Sequence, residues 1–275
     1  MENLKNSTTE KSSLDDKIKQ NMSKIKHKIL VLSNKGGVGK SAIAINLACS
    51  LSEKDFKVGI LDADLHGPSV AKMLGLEGER LTGNAEGIIP MNVFHNLIAV
   101  SMASLIEGFD MPLIWRGPLK AMALKQFLGE VQWGNLDYLI IDSPPGTGDE
   151  PLSICQLIPE LEGGIIVTTP QDLALLDSRR CINFLKNIKI PILGIIENMS
   201  GLKCPHCGKE INLFKTGGGE KAAKEFNLPF LGKIPIDANI VNSSDEGIPF
   251  VLQFKDSETA QAFHKVVELI LQQMK

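Results

Sequence analysis

A glycine-rich stretch near the start of the chain has the composition of a phosphate-binding loop. Residues 33–41 read S-N-K-G-G-V-G-K-S, follow the apolar run 29–32 and precede an apolar run typical of a helix. Glycines let backbone amides curl around phosphate oxygens, and a helix N-terminus adds the positive end of its dipole. In such a loop Lys40 meets the β- and γ-phosphates and Ser41 ligates Mg²⁺. The stretch therefore predicts an ATP and Mg²⁺ site, although Asn34 stands where the first glycine is usual.

Two aspartates, Asp62 and Asp64, directly follow a second apolar run, residues 58–61. Carboxylates one residue apart at a strand end point the same way for as long as the strand geometry continues. Beside a nucleotide, one of them can hold Mg²⁺ through water while the other orients the attacking water. A solvated pair in which Asp64 caps the next helix is the structural alternative.

A third aspartate ends the apolar run 138–141 and begins D-S-P-P-G-T-G-D. An apolar strand that ends in a carboxylate is the Walker B arrangement, so Asp142 is predicted to lie near Mg²⁺. The two prolines stiffen the turn and leave Gly146 able to present its backbone amide to a γ-phosphate. Such a turn can change shape on hydrolysis, as switch loops do.

Residues 204–208, C-P-H-C-G, form a thiolate knuckle in which two sulfurs can face one metal. A zinc ribbon needs a second C-x-x-C, and the other three cysteines lie singly in apolar runs. A redox pair of the thioredoxin kind begins a helix, whereas a short hairpin is expected here. Two thiolates from each of two chains would suit a 4Fe-4S cluster. The motif alone allows that arrangement, zinc shared across a dimer, or unliganded thiols.

From residue 28 on, short runs rich in Ile and Val alternate with helical patterns. Such runs are typical of strands buried on both faces, so we predict the α/β class, with a mostly parallel central β-sheet and helices on both faces. One domain is expected over residues 27–275, with a cysteine-bearing insertion near 200–215, after a polar, flexible tail (1–26) that holds one optional amphipathic helix. The expected strands are residues 29–32, 58–61, 97–101, 138–141, 165–168, 192–196 and 231–234.

The overall composition argues against some classes of partner. The chain has 275 residues, 43% of them hydrophobic, and a formal net charge of -3 from 29 basic and 32 acidic side chains. The chain lacks the excess of basic residues that would indicate binding to nucleic acid or to an anionic membrane. No apolar stretch is long enough to cross a bilayer. The five cysteines form no disulfide pattern. We therefore expect a cytoplasmic protein with no nucleic-acid and no membrane partner.

Four strings together resemble the Mrp/ApbC-type iron-sulfur cluster carriers, a branch of the MinD/ParA class of ATPases with a deviant Walker A loop. They are K-G-G-V-G-K-S from Lys35, D-A-D-x-x-G-P-S from Asp62, D-x-P-P-G-T-G-D from Asp142 and C-P-x-C-G from Cys204. The resemblance implies a MinD-like P-loop NTPase fold and a homodimeric ATPase. Such a protein binds ATP, Mg²⁺ and a 4Fe-4S cluster that bridges two subunits. Its partners would be apo iron-sulfur client proteins and cluster-assembly scaffolds.

The resemblance also assigns roles to residues. Lys35 would reach the nucleotide of the partner subunit, Asp64 matches the water-activating position, and Asp62 matches a magnesium-shell or switch residue. Asn198, in the string E-N-M, would contact adenine, although alone it reads as a turn former. The predicted catalytic residues are Lys35, Lys40, Asp64 and Asp142. The predicted nucleotide contacts are Lys35, Gly36, Gly37, Val38, Gly39, Lys40, Ser41, Asp62, Gly146 and Asn198, and the predicted metal ligands are Ser41, Cys204 and Cys207.

Two other functions fit part of this pattern. A positioning ATPase of the ParA/MinD kind, acting on DNA or membrane, explains the nucleotide strings but not the C-P-H-C-G knuckle. Its membrane form needs a C-terminal helix with a basic polar face, whereas residues 258–275 have balanced charges. A carrier of zinc or nickel is the other alternative. For the iron-sulfur carrier, hydrolysis is expected to be slow, because no arginine finger is evident.

Overall fold

An eight-stranded sheet forms the centre of the computed structural model, which describes residues 14–64, 67, 69–105, 117–204, 206–211 and 213–274. The strands in chain order are β1 (Ile25–Leu32), β2 (Val58–Asp62), β3 (Thr82–Asn84), β4 (Gly87–Ile89), β5 (Met91–Phe94), β6 (Leu97–Ser101), β7 (Leu136–Asp142), β8 (Gly163–Thr168), β9 (Ile192–Glu197), β10 (Leu202–Lys203), β11 (Glu210–Ile211) and β12 (Phe230–Lys233). The large sheet has the order β12-β9-β8-β1-β7-β2-β6-β5. β3 with β4 and β10 with β11 form separate two-stranded hairpins.

Helices cover both faces of this sheet. They are α1 (residues 14–22), α2 (Lys40–Ser52), α3 (Val70–Met73), α4 (Gly117–Glu130), α5 (Asp149–Leu157), α6 (Asp172–Asn187), α7 (Gly218–Phe226), α8 (Ala238–Glu246), α9 (Phe250–Gln253) and α10 (Glu258–Gln273). Successive side chains of β1 alternate between two apolar cores: Ile29 and Val31 pack with α2, α9 and α10, whereas Leu30 and Leu32 pack with α1, α4 and α6. The near-continuous apolar runs follow from this burial on both faces.

The seven predicted strands correspond to the seven parallel strands of the sheet, and the predicted fold class is confirmed. The eighth strand, β5, pairs antiparallel with β6 at the sheet edge. It lies within residues 75–95, a stretch that contains Gly, Glu, Asn and Pro without a period and that the sequence alone predicts as a loop or small hairpin. β5 is four residues long and half exposed, so it lacks the apolar run that marks the buried strands. Edge strands are often short and partly polar in this way.

The amphipathic helix expected within the polar tail is present as α1, but residues 14–26 belong to the folded domain and not to a flexible tail. Ile18 and Met22 of α1 are buried, and Asn21 Nδ2 donates to the carbonyl oxygens of Leu128, Gly129 and Val131 at the end of α4. β1 begins at Ile25, before the predicted boundary. A short amphipathic helix is stabilised by the surface on which it packs, and a polar composition does not reveal that surface. Residues 1–13 of the predicted tail lie outside the described residues.

The parallel strands bring the predicted nucleotide residues to one edge of the sheet. The phosphate-binding loop follows β1, while Asp62 and Asp142 end the neighbouring strands β2 and β7. Asp142 stands in register with Val31 on one side and with Asp62 on the other. Ligands of such sheets bind beyond the carboxyl ends of the strands. In the part of the chain that the structure describes, no helix is both long and apolar enough to cross a membrane.

We expect Met22→Ala to destabilise the protein by about 2–5 kcal/mol, because it leaves a cavity under α1. Urea unfolding at pH 7 measures this loss. Lys19→Ala, on the exposed side of the same helix, is the matched control and should change stability by no more than about 0.5 kcal/mol. Equal, small effects of both substitutions would contradict the packing of α1 on the sheet.

Candidate functional site

Two glycines of the phosphate-binding loop have left-handed backbone angles that favour glycine. Gly37 has φ 78° and Gly39, which directly precedes α2, has φ 80°. A Cβ atom on Gly39 would lie 2.2 Å from Nδ2 of Asn198, so a larger residue would displace that side chain. The loop is therefore closed against the residue that follows β9.

Lys40 and Ser41 both contact the carboxylate of Asp142. The Lys40 Nζ lies 2.5 Å from Oδ1, and the Ser41 Oγ donates to Oδ2 at 2.5 Å. Asp142 is fully buried and Lys40 is nearly so, which makes this ion pair strong enough to hold the loop on β7. The three residues predicted for phosphate and Mg²⁺ thus form one contact group.

A second buried carboxylate faces the first. Asp62 accepts hydrogen bonds from Ser101 Oγ (2.8 Å) and from the Asp64 backbone amide (3.1 Å). Burial, and then the neighbouring charge of Asp142, raise the pKa of Asp62 to about 8. Burial also raises the pKa of Asp142, although Lys40 and Ser41 oppose that rise. Two desolvated carboxylates and a serine hydroxyl make an oxygen donor set, and this set fits Mg²⁺.

Asp64, the predicted water-activating residue, and Gly146, of the predicted switch turn, lie beside this group. Asp64 is mostly buried, and its Oδ1 accepts from the Gly67 amide at 3.3 Å. Gly146 has φ 100° and donates its backbone N–H to the Ser33 carbonyl oxygen at 2.8 Å. The Gly146 amide is thus bonded to the phosphate-binding loop, and its contact with a γ-phosphate stays a prediction. Gly146 thus contacts the phosphate-binding loop, and Asp64 lies close enough to Asp142 for its charge to raise the pKa of that carboxyl.

Lys35, the first lysine of the phosphate-binding loop, has a partner that the sequence did not indicate. Lys35 Nζ lies 2.6 Å from Asp177 Oδ2, and the Asn34 amide donates to Asp177 Oδ1 at 2.7 Å. Asp177 lies on α6 and is largely buried, whereas about half of the Lys35 side chain is exposed. The contact gives a physical role to Asn34, which replaces the usual glycine. An acidic residue in an otherwise apolar helix face was the only available signal.

Asn198 holds the phosphate-binding loop from the side of β9. Its Nδ2 donates to the Val38 carbonyl oxygen (2.8 Å), and its backbone N–H donates to the Thr168 carbonyl oxygen (2.8 Å). The side chain is buried. Its predicted contact with adenine is not tested by this geometry and stays a prediction.

A cavity of about 400 Å³ lies next to the loop. Its walls come from residues 34–38, from the end of β8, from Asp177 and Ser178 on α6, and from Met199 and Phe214. Phe214 belongs to the segment that carries the cysteines. The nucleotide-binding loop and the cysteine segment therefore share one cavity wall.

The cysteines lie at the tip of the β10–β11 hairpin, as the sequence predicts. The Cys204 N–H donates to the Lys209 carbonyl oxygen and the Gly208 N–H donates to the Cys204 carbonyl oxygen, both at 2.9 Å. Backbone N–H groups of His206 and Cys207, together with the Cys207 side chain, hold the pKa of Cys204 below its usual value. Cys207 is exposed and Cys204 partly so, while Pro205 lies outside the described residues. The knuckle is thus accessible, and Cys204 loses its proton more readily than an ordinary thiol to give the thiolate, the form that binds metal.

Among the residues that the structure describes, these two thiols have no further ligand that would complete a metal site. Within the described ranges, no cluster of three or more His, Cys, Asp or Glu side chains is arranged to hold a metal ion. The hairpin context also differs from a redox pair, which starts a helix. Cys204 and Cys207 are therefore two accessible thiols at one hairpin tip, and their role as metal ligands stays a prediction.

Known proteins that are similar to this chain include iron-transfer P-loop NTPases and iron-sulfur cluster carriers. The model of the family described as ParA, NUBPL iron-transfer P-loop NTPase, matches residues 24–271. The iron-sulfur cluster carrier protein of Methanocaldococcus jannaschii is 50% identical over 260 residues, which cover 94% of this chain and 89% of the relative. That of Pyrococcus horikoshii is 48% identical over 272 residues, covering 95% and 91%.

Solved structures give the same grouping. A nucleotide-binding protein in complex with ADP from Archaeoglobus fulgidus has a TM-score of 0.79 and 36% identity, covering 90% of this chain and 96% of that one. The cell division ATPase MinD of Pyrococcus furiosus has a TM-score of 0.67 and 26% identity, covering 90% and 99%. This chain belongs to the ParA family of NUBPL-type iron-transfer P-loop NTPases.

Proposed function

We propose that this protein is an ATP-dependent iron-sulfur cluster carrier. It holds a 4Fe-4S cluster between the Cys204 and Cys207 pairs of two subunits and transfers it to apoproteins. The observation that carries the proposal is the exposed, thiolate-favouring half-site on a hairpin whose segment also lines the phosphate-loop cavity. Client apoproteins receive the cluster, and assembly scaffolds supply it.

The nucleotide part of the mechanism rests on the contacts at the carboxyl edge of the sheet. Amides of residues 35–41 surround the phosphates of ATP, and Lys40 moves from Asp142 to the β- and γ-phosphates. Ser41 and Asp142 would hold Mg²⁺ directly and Asp62 through water; when bound, the ion neutralises phosphate charge. Asp64 orients the attacking water, and Gly146 donates its amide to the γ-phosphate after it leaves Ser33.

Asn198, the residue after β9, recognises the adenine base in this proposal. The Nδ2 of Asn198 is engaged with Val38, so Oδ1 is the atom that would accept a hydrogen bond from the amino group of adenine. We expect hydrolysis to be slow, because the sequence shows no evident arginine finger.

A homodimer follows from the half-site. Two-fold symmetry brings identical patches together, so two thiolates from each chain give the four that such a cluster takes. Ile211, Leu213 and Phe214, next to the cysteines, are between 41% and 57% exposed. Exposed apolar patches of this kind mark interaction surfaces. Lys35, half exposed on the same side of the cavity, would reach the partner's nucleotide once it leaves Asp177.

The positioning ATPase is the second candidate, since MinD shares the fold. Its membrane form uses a free C-terminal amphipathic helix. Here Phe263, Val266, Val267 and Ile270 of α10 are buried in the core, so the apolar face of that helix is already occupied. The balanced charge also disfavours DNA. We therefore propose a cytoplasmic carrier that has neither a nucleic-acid nor a membrane partner.

We expect the double substitution Cys204→Ser with Cys207→Ser to abolish the iron-sulfur spectrum after anaerobic reconstitution, because it removes every proposed cluster ligand. Affinity for ADP and Mg²⁺, measured by calorimetry, should not change. Cys155→Ser, on α5, is the matched control and should keep the spectrum. Iron retained by the double variant at the wild-type ratio would overturn the assignment, and zinc in a colourless dimer would favour the zinc alternative.

Lys40→Ala should weaken ADP and Mg²⁺ binding by about tenfold or more, since it removes the cation that meets the phosphates. The cluster should still form, because the hairpin is built by other contacts. Calorimetry and the visible spectrum are measured on the same preparation. Unchanged nucleotide affinity in a folded variant would contradict the assigned role, and the exposed Lys72→Ala is the control.

Asp62→Asn should stabilise the protein when Mg²⁺ and nucleotide are absent, and more so at pH 8 than at pH 5. The pKa of Asp62 is raised from 3.8 to about 8 in the fold, so between these values the native state binds more protons than the unfolded chain. Stability then falls as the pH rises through this window, and the asparagine variant escapes that loss. Denaturant unfolding in EDTA at both pH values measures the difference. Asp256→Asn, at an exposed position, should show no such pH dependence; an equal gain at both pH values for Asp62→Asn would refute the explanation.

A further inference from the structure

One buried carboxylate joins the two ends of the segment that carries the cysteines. Glu197, the last residue of β9, is fully buried. Its Oε1 accepts from Ser200 Oγ at 2.5 Å and from the Gly217 amide at 2.9 Å, and its Oε2 accepts from the Gly219 amide at 2.6 Å. Ser200 precedes the β10–β11 hairpin and Gly217 follows it. Both ends of the cysteine-bearing segment are therefore bonded to one side chain, that of Glu197.

The glycines on the returning side are required for this contact. A Cβ on Gly218 would lie 2.5 Å from the Pro170 carbonyl oxygen, and one on Gly219 would lie 3.0 Å from Glu197 Cβ. Gly217 has φ 89°. The N-terminus of α7, which starts at Gly218, points its free amides at the carboxylate, and the helix dipole favours that charge. The three glycines at 217–219 thus let the backbone approach Glu197 closely enough to bond to it.

The residue next to Glu197 holds the phosphate-binding loop. Asn198 donates to the Val38 carbonyl oxygen, and its side chain closes against Gly39. Adjacent Cα atoms are only about 3.8 Å apart, and no flexible segment separates the two residues. The peptide between them consequently lies between the nucleotide loop and the root of the cysteine hairpin.

We propose that Glu197 and Asn198, hereafter the Glu197–Asn198 link, couple the position of the phosphate-binding loop to the position of both roots of the cysteine hairpin. The inference rests on the proposed function for the identity of the two sites. Movement of Val38 and Gly39 on nucleotide binding shifts Asn198, and Glu197 carries the shift to Ser200 and Gly217. Glu197 is a positioning residue: it is fully buried and its two oxygens accept three hydrogen bonds within the fold.

Coupling of this kind is reciprocal and measurable. If nucleotide binding changes the environment of the hairpin, the reactivity of its thiols must differ between the two states of the loop. Breaking one bond of the link should reduce that difference without reducing nucleotide affinity. A residue that only supports the fold would instead lower stability and leave the difference in place.

The test uses the full-length, reduced protein and iodoacetamide as the probe. The rate of alkylation of Cys204 and Cys207 is followed by mass spectrometry with and without saturating ADP and Mg²⁺. In the wild type we expect ADP to change this rate by about fivefold or more. The ratio of the alkylation rates with and without ADP should approach one in two variants. They are Glu197→Gln, which puts an N–H where an acceptor is needed, and the milder Ser200→Ala. Calorimetry should give an unchanged ADP affinity for both.

Ser243→Ala is the matched control, because Ser243 is a buried serine whose hydroxyl bonds within α8 to the Ile240 carbonyl oxygen. It should retain the wild-type ratio. If Glu197→Gln fails to fold, the ratio of alkylation rates measured in Ser200→Ala decides whether the Glu197–Asn198 link couples the two sites. A wild-type ratio in Ser200→Ala, or a wild type that binds ADP without any change in thiol reactivity, overturns the link and leaves the proposed carrier function standing. A wild type that binds no ADP would instead refute the proposed function itself, and the link with it.

Discussion

The carboxylate of Asp142 holds the nucleotide site together. It is fully buried, and an unpaired charge at such a position costs several kcal/mol. Lys40 and Ser41 offset that cost, and in doing so they fix the start of α2 against the end of β7. The phosphate-binding loop therefore cannot move far without exposing or protonating Asp142. Because Asp62 stands in register beside it, the same carboxylate also sets the electrostatics of the neighbouring strand end.

Buried carboxylates recur along this edge of the sheet, each accepting from a loop. Asp142 binds Lys40 and Ser41, Asp177 binds Asn34 and Lys35, and Glu197 binds the glycines at the start of α7. Each anion lies on a strand end or helix, and each donor lies in a segment without extended secondary structure or at the start of a helix. Charge-assisted hydrogen bonds are directional and about twice as strong as neutral ones. Loops that would otherwise be mobile are held in place, yet each can be released when a ligand offers its donors a better partner.

The cysteine hairpin shows the opposite arrangement, since its reactive groups face outward. Two thiols with backbone N–H groups aimed at one of them form a site that one chain leaves incomplete within the described residues. Three exposed apolar side chains, Ile211, Leu213 and Phe214, follow the pair in the same segment. In the proposed function, a cluster held between subunits would be released when the subunits move, which a complete four-ligand site inside one chain would resist. A ligand set that one chain leaves incomplete thus suits a carrier better than it would suit a structural metal site.

The sequence by itself determined the features that depend on local order. Seven parallel strands, the phosphate-binding loop, the carboxylates after β2 and β7, and the C-x-x-C hairpin are all marked by spacing within a few residues: apolar runs, glycines at left-handed positions and prolines in turns. Only the tertiary structure decided the packing of α1, the edge strand β5, the partner of Lys35 and the role of Glu197. These depend on residues far apart in the chain, such as Asn34 and Asp177, which are separated by 143 positions. No local pattern records which side chains will meet, because such contacts exist only once the strands have been ordered in the sheet.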